Sequence, residues 1–288
     1  MEPTAGTQSD RIHLHSSWTR TLLLIRQSFT MLSRDKKLLV FPAAAGVSAI
    51  CVSVSFVRPL IDNGAVNRYL DHGSIDTQTT LWLFLWYYFH CFVILFFNSA
   101  LAATANGRMA GEAPSLKSGM AAAVDRLFPI SMWTLVAATV GVAIRLFESR
   151  SKRLGAWITA LIGLNWTFAT YFVGPVLLFE ETSILPALKR SVQVTRRTWG
   201  EQLVNQVSFG FFTFLFSIPG LILTLAGLSF SHVLLVPAFA YALILSVTLS
   251  AARTVFTLAL YRYAVTGEVP EGFSASVIAG APAGSHAV

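Results

Sequence analysis

The sequence has little charge, and cysteine is scarce. Only 12% of the 288 residues are Asp, Glu, Lys or Arg, about half of the share that is usual in soluble domains. A soluble protein of this size would need more charge to cover its surface, so the composition excludes an ordinary globular enzyme and a disordered chain. Apolar residues make up 54%, with 22 Phe and 7 Trp, which predicts a polytopic membrane protein.

Motifs for catalysis and metal binding are also missing. Cys51 and Cys91 lie in separate apolar stretches, outside any CxxC motif, so neither a disulfide nor a zinc site is expected. No phosphate-binding glycine loop, nucleophile elbow, HExxH helix or kinase signature occurs. His90 is followed by Cys91, but the side chains of neighbouring helical residues point about 100° apart, which does not suit a shared metal ion. A hydrogen bond within the bundle therefore explains His90 better than a metal does. We therefore expect no catalytic residue, no cofactor and no metal.

Intervals without charge define the membrane spans, because a helix needs about 20 apolar residues to cross a bilayer. The interval from Gln202 to Ala252 is too long for one crossing, and a polar turn at Gly227–His232 divides it. Continuous apolar runs favour helices over a barrel. The prediction is an all-α membrane bundle with about six transmembrane helices, at 38–57, 81–103, 127–144, 155–179, 203–226 and 234–262. They form one polytopic domain, 16–268, between mobile tails at 1–15 and 269–288.

Lysine and arginine counts predict the orientation. With both termini in the cytoplasm, the inner segments hold 14 Lys and Arg and the outer loops hold six, as the positive-inside rule requires. The short loop Glu148–Arg153 opposes the rule, since it is basic yet lies outside, and its sidedness stays open. The first long apolar stretch begins only at Leu38, so a retained signal anchor is expected rather than a cleaved signal peptide.

Three segments, 18–34, 115–128 and 184–199, are predicted to be amphipathic helices lying in the membrane interface. In the third, the predicted apolar face carries Ile184, Leu185, Leu188, Val192, Thr195 and Trp199. The candidate lipid-contacting residues are Lys189, Arg190, Arg196, Arg197, Trp199, Trp18 and Arg26. The net charge of +7 is thus assigned to anionic lipid head groups and not to nucleic acid. The three segments indicate either a threefold repeat, with Ser28 aligned to Ser191, or ordinary basic connectors.

Arg253 is the exceptional charge, since it falls inside the sixth predicted span. It precedes Arg262 by nine residues, or about 13 Å along a helix. Arg253 either lines a polar cavity or binds an anionic lipid head group, or else it snorkels or caps polar groups such as Asn165 and Thr167. Arg253, Asn165 and Glu180 form the candidate intramembrane polar site. Glu180 and Glu181 either offset a helix dipole or form a catalytic acid pair.

Two functions of different classes fit these features. The first is a non-enzymatic membrane protein that organises lipids or partner proteins through its basic interfacial helices. The alternative is a transporter or channel for a small or anionic solute, with Arg253 in the path. No carboxylate lies in the middle of a span, which argues against ion-coupled transport. An enzyme acting on lipids is the least supported, because no nucleophile, base or metal ligands cluster.

Several short segments carry a resemblance to a known family. They include Asp35-Lys36, Phe41-Pro42, Ala187–Ser191, Arg197–Glu201, Ala259–Ala264 and Gly267…Pro270…Gly272-Phe273. Over about residues 16–273, the chain resembles uncharacterised prokaryotic polytopic membrane proteins catalogued as a domain of unknown function. The architecture is similar to the membrane domains joined to glycerophosphodiester phosphodiesterases, although no phosphodiesterase domain is present. The resemblance implies a bacterial or archaeal cytoplasmic membrane and brings no catalytic residues.

Overall fold

The computed structural model describes residues 22–62, 64, 77–150, 163, 165–197 and 199–278. Across these ranges every regular element is a helix and there is no strand, which confirms the predicted all-α class. The helices are α1 (22–34), α2 (Val40–Asp62), α3 (Thr77–Met109), α4 (Leu116–Asp125), α5 (Leu127–Arg150), α6 (165–170), α7 (Val173–Phe179), α8 (Ile184–Arg197), α9 (Trp199–Ser229), α10 (Leu235–Thr266) and α11 (Ala275–Ile278). Short 3-10 turns, Lys36–Leu39 and His232–Leu234, precede α2 and α10.

Five stretches of the described chain are long and apolar enough to cross a membrane, as a multi-pass membrane protein requires. They are Lys36–Asp62, Thr77–Met109, Leu127–Ile144, Gly210–Ser229 and His232–Thr266. Each overlaps one predicted span. The helical state follows from the apolar sequence, because a backbone in hydrocarbon must satisfy its N–H and C=O groups within the segment.

The fourth predicted span, 155–179, has a different form. Residues 155–162 and 164 lie outside the described residues. The remainder is helical at 165–170, turns at Tyr171 and Phe172, and continues as α7 to Phe179. The chain then bends by 120° into α8. Segment 165–196 is therefore a broken span or a re-entrant loop, and counting it as a span raises the total to six.

The chain divides into two compact units that interleave along the sequence. The described residues of the first unit lie within 22–39, 104–114 and 192–278, and those of the second lie within 40–103 and 115–191. In the first unit, the second half of α10 supplies the largest share of the core. Its fully packed residues are Ala251, Ala252, Val255, Phe256, Leu258, Ala259, Leu260 and Tyr261. The first half of α10 and its neighbour α9 leave large apolar side chains exposed, as lipid-facing helices do.

Aromatic side chains hold the second unit together. Trp82 Nε1 donates to the carbonyl of Phe56 at 3.0 Å, which joins α3 to α2. The hydroxyls of Tyr88 and Ser131 are 2.6 Å apart, which joins α3 to α5. Trp133 of α5 stacks on a tryptophan of α6, with ring centroids 5.9 Å apart. These contacts order the helices that carry the candidate site.

The residues that follow α10 are packed, although a mobile tail was expected from residue 269. Pro270, Phe273, Val277 and Ile278 are buried. Their apolar side chains explain the packing, because burying them removes apolar area from water. Residues 267–278 are named the C-terminal segment below. The other expected tail regions, 1–15 and 279–288, lie outside the described residues.

Candidate functional site

Helix α8 is the best candidate for a helix lying in the membrane interface. Its sequence, ILPALKRSVQVTRR, has four basic residues and no acidic ones. The helix starts after Ser183, whose carbonyl accepts a hydrogen bond from the Ala187 amide at 2.9 Å. Pro186 stands in the first turn, where its missing N–H costs no helical hydrogen bond. The sequence therefore forms a basic helix directly after the bend at 180–183.

The buried face of α8 differs from the predicted apolar face. The buried residues are Ala187, Ser191, Val194 and Thr195. Leu185, by contrast, is 71% exposed, and Leu188 and Val192 are only half-buried. At about 100° per residue, the buried stripe is centred roughly 80° from the predicted one. Small side chains let helix backbones approach closely in membrane proteins, so packing selects alanine and serine over leucine.

The exposed apolar stripe of α8 is bordered by cations. Lys189 follows Leu185 by four residues and Arg196 follows Val192 by four, so each cation lies beside an apolar side chain. Both cations are exposed, and neither has an ion-pair partner in the part of the chain that the structure describes. An exposed surface that is apolar along one edge and cationic along the next is typical of helices at a membrane surface.

Two ion pairs fix the bend that precedes α8. Glu180 accepts hydrogen bonds from Arg190 Nε at 3.0 and 3.1 Å, and Glu181 Oε1 accepts one from Arg126 at 2.9 Å. Glu180 and Arg190 were predicted for two different sites, and the structure brings them together in one ion pair. The two carboxylates pair with different arginines, so their geometry fits a structural role at the bend.

The Arg126–Glu181 ion pair also places α8 relative to α5. Arg126 directly precedes α5, whose segment Leu127–Ile144 is long and apolar enough to cross a membrane. Exposed apolar side chains surround this corner: Phe128 is 74% exposed, and Val124 and Leu127 are also exposed. The start of α8 therefore lies near the start of a helix that is long and apolar enough to cross a membrane, and large apolar side chains are exposed at the start of that helix.

The candidate intramembrane residues are distributed over both units. Arg253 belongs to the first unit, whereas Asn165 and Glu180 belong to the second. Arg253 has an exposed side chain on α10, directly after the buried Ala252, and Asn165 is exposed on α6. Each of the two has an interaction partner. Their convergence with Glu180 on one cavity stays a prediction.

The remaining candidate lipid contacts are only partly covered by the structure. Arg26 is exposed on α1. The side chains of Arg197 and Trp199, and the whole of Trp18, lie outside the described residues. Helix α1 resembles α8 in that a serine lies on its buried face. The buried residues of α1 are Leu24, Ile25, Ser28 and Leu32. Leu22 of the same helix is exposed.

The first unit contains a polar cluster that the sequence did not reveal, here called the span-end cluster. Arg108, at the end of α3, donates to Asp35 Oδ2 at 2.8 Å. Arg262 donates to both the carbonyl and the side-chain oxygen of Asn106 at 3.2 Å, and it lies 3.9 Å from Glu268. These partners are far apart in sequence, so only the positions of the charges at helix ends could have suggested the cluster.

The described residues offer little for a cofactor or a metal. They contain no group of three or more His, Cys, Asp and Glu residues that could hold a metal ion. A surface groove of about 470 Å³ runs along α2, lined by Ser53, Val54, Val57, Arg58, Ile61 and Asp62. All of its lining comes from one helix, and its main polar feature is the Arg58–Asp62 ion pair at 3.8 Å.

The two aligned serines should respond differently to substitution. In Ser191→Ala, the buried amide of Phe172 loses its acceptor, which lies at 3.1 Å, so stability should fall by about 1–3 kcal/mol. In Ser28→Ala, only a bond to the Leu24 carbonyl within the same helix is lost, and the change should be within about 0.5 kcal/mol. Thermal unfolding in detergent measures both. Equal losses would show that the Ser191 contact is not stabilising.

The comparisons with known proteins give one family and no activity. A family model described as "Family of unknown function (DUF6159)" matches residues 77–272. The match includes α8, the bend that precedes it and most of the span-end cluster. The chain matches no curated protein and no solved structure.

Proposed function

Because the chain belongs to this family of unknown function, whose description names no activity, we propose a function from the geometry of α8. The proposed function is that of a non-enzymatic integral protein of a prokaryotic cytoplasmic membrane, which binds and organises anionic phospholipids through its interfacial helices. The observation that carries this proposal is the exposed surface of α8, where Leu185 stands beside Lys189 while the opposite side of the helix is packed.

The level of α8 supports the proposal. Phe128 is the second residue of α5, so in a bilayer it lies where the hydrocarbon begins. The Arg126–Glu181 contact of 2.9 Å brings the start of α8 to that same boundary. Leu185 can then enter the acyl region, while Lys189 and Arg196 extend toward phosphate groups. Anionic lipids supply the counter-charge that these two side chains lack in the described chain.

The same geometry supports an orientation. Helix α5 has 24 residues, or about 36 Å at 1.5 Å per residue, which is enough to reach the opposite boundary. With α8 and both termini on the cytoplasmic side, the basic loop 148–153 is proposed to lie outside. Its residues 151–153 are not among those described. The similarity to the membrane domains of glycerophosphodiester phosphodiesterases remains part of this proposal and adds no activity.

The Lys189→Gln/Arg196→Gln double variant tests the lipid proposal. Each cation near an anionic surface contributes about 1 kcal/mol, so the pair should strengthen binding of phosphatidylglycerol over phosphatidylcholine by roughly 30-fold. The wild-type and the variant are placed in nanodiscs that contain both lipids, and the lipids retained on extraction are counted by native mass spectrometry. We expect the variant to lose most of its preference for phosphatidylglycerol.

Two matched variants make this experiment decisive. Arg58→Gln removes an arginine with 84% side-chain exposure at the far end of α2, and it should leave the preference unchanged. Lys189→Arg/Arg196→Lys keeps the charge and should also retain it. A double glutamine variant that keeps the wild-type melting temperature and the wild-type preference would refute the proposal.

The alternative function, transport of a small or anionic solute, rests on Arg253. This residue lies in the apolar stretch His232–Thr266, where a charge would suit a solute path. The geometry of α8 favours the lipid-binding function, because lipid binding explains why an exposed apolar stripe lies next to a cationic edge. Transport remains the second candidate.

A further inference from the structure

The turn at the end of α10 repeats the turn at the end of α3. The first turn along the chain, after α3, is Ala110-Gly111-Glu112-Ala113-Pro114, and the second, after α10, is Thr266-Gly267-Glu268-Val269-Pro270. Both glycines have left-handed backbones, with φ of 79° and 72°. A left-handed glycine ends a helix, and a proline three residues later prevents its continuation. Each turn leads into a short helix, α4 after the first and α11 after the second.

The two turns also meet through corresponding residues. Asn106 and Arg262 each stand five residues before the left-handed glycine, and the Arg262 guanidinium donates to both oxygens of Asn106 at 3.2 Å. The Glu271 amide donates to the Met109 carbonyl at 3.0 Å. The second copy of the turn is therefore anchored on the first.

The C-terminal segment reaches α1 as well. Gln27 donates through its side-chain amide to the Ser274 hydroxyl, and its side-chain oxygen accepts from the Ser274 amide at 3.3 Å. Phe273, Val277 and Ile278 of the same segment are buried. Residues 267–278 thus touch the end of α3 on one side and α1 on the other.

We propose that the C-terminal segment is an intramolecular strap. It is a second copy of the connector that follows α3, and it fastens the interfacial helix α1 to the ends of α3 and α10. In the described residues, α4 has ten residues and α11 has four. The described part of helix α1 is 22–34, and helices of about that length are marginal without tertiary contacts. Its helical state should therefore depend on the strap, whether or not the protein binds anionic lipids.

Hydrogen–deuterium exchange of the full chain in detergent tests the strap. In Phe273→Ala, a buried side chain of the strap is removed, and the amides of 22–34 should exchange about tenfold faster. The amides of 127–144, in the other unit, should keep their wild-type rates. Val269→Ala is the matched control, because Val269 belongs to the same segment but is exposed. It should change neither region.

Two more variants keep the test open to refutation if Phe273→Ala fails to fold. Gln27→Ala removes only the bonds to Ser274 and should speed exchange in 22–34 to a smaller extent. Thr266→Ala/Val269→Ala gives the second turn the sequence of the first and should exchange like the wild-type. Unchanged exchange in 22–34 for both Phe273→Ala and Gln27→Ala would overturn the proposal, as would an equal increase in 22–34 and 127–144.

Discussion

The Gly227→Val variant should lose roughly 3 kcal/mol or more of stability, because α10 begins directly against this glycine. A Cβ atom at position 227 would lie 2.6 Å from Leu235 Cδ2 and 3.1 Å from the Leu235 backbone nitrogen. The leucine side chain can rotate away, whereas the backbone nitrogen yields only if the start of α10 shifts by a few tenths of an ångström. Valine adds two methyl groups to the clash, so α9 and α10 can no longer close as they do in the wild-type.

A second glycine of α9 provides the control for this prediction. A Cβ atom at Gly210 would meet no atom within 4 Å, so Gly210→Ala should be neutral or stabilising by up to about 1 kcal/mol through helix propensity. Both variants are compared by thermal unfolding and by titration with a denaturing detergent. A Gly227→Val protein as stable as Gly210→Ala would show that the hairpin is not closely packed at this point.

Asp35→Ala should lower the free energy of unfolding by about 3 kcal/mol. The carboxylate has two roles: Oδ2 accepts from Arg108 at 2.8 Å, and Oδ1 accepts from the Lys37 amide at 3.3 Å at the turn that starts α2. The bond to the arginine contributes about 1.5–3 kcal/mol, and a capping bond contributes about 1 kcal/mol. Asp35→Asn can keep the cap and should lose about half as much, as measured by the same denaturation.

The exposed ion pair of α2 is the control for Asp35, because it gives the change in stability that is expected when an exposed carboxylate is removed. Asp62 lies 3.8 Å from Arg58, and their side chains are 66% and 84% exposed. Asp62→Ala should change stability by less than about 0.5 kcal/mol. A double-mutant cycle with Asp35→Ala and Arg108→Ala should give a coupling energy above about 1 kcal/mol. A coupling energy near zero would show that the Asp35–Arg108 ion pair of the span-end cluster does not stabilise the fold.

The helices could be predicted from the sequence because charges interrupt the apolar runs at their ends. The uncharged interval from Gln202 to Ala252 was divided at Gly227–His232, and the structure has α9 ending at Ser229 and α10 starting at Leu235. The fourth span could not be drawn correctly from charge alone. At the bend of 120° before α8, Glu180 pairs with Arg190 and Glu181 pairs with Arg126. The second pair joins residues that are 55 positions apart in sequence.

The packed face of α8 could not be predicted by ranking residues by hydrophobicity. In water, Leu185 and Val192 would be buried first, but lipid is as apolar as leucine, so large side chains gain little by leaving it. The side that packs is the one with the smallest residues, Ala187 and Ser191. The duplicated turn, by contrast, was visible in the sequence as two copies of Gly-Glu-x-Pro, and it would have shown that residues after 268 are part of the fold.

Among the cations that the structure describes, two groups should respond differently to ionic strength. Arg108 and Arg190 are paired and partly shielded from solvent, whereas Lys189 and Arg196 are exposed. At 1 M salt the screening length falls to about 3 Å, which weakens attraction between exposed cations and distant anions far more than a shielded contact. Concentrated salt should therefore release anions bound to α8 while leaving the shielded Arg190–Glu180 and Arg108–Asp35 contacts in place. The Arg126–Glu181 pair, whose carboxylate side chain is 86% exposed, should weaken together with the bound anions.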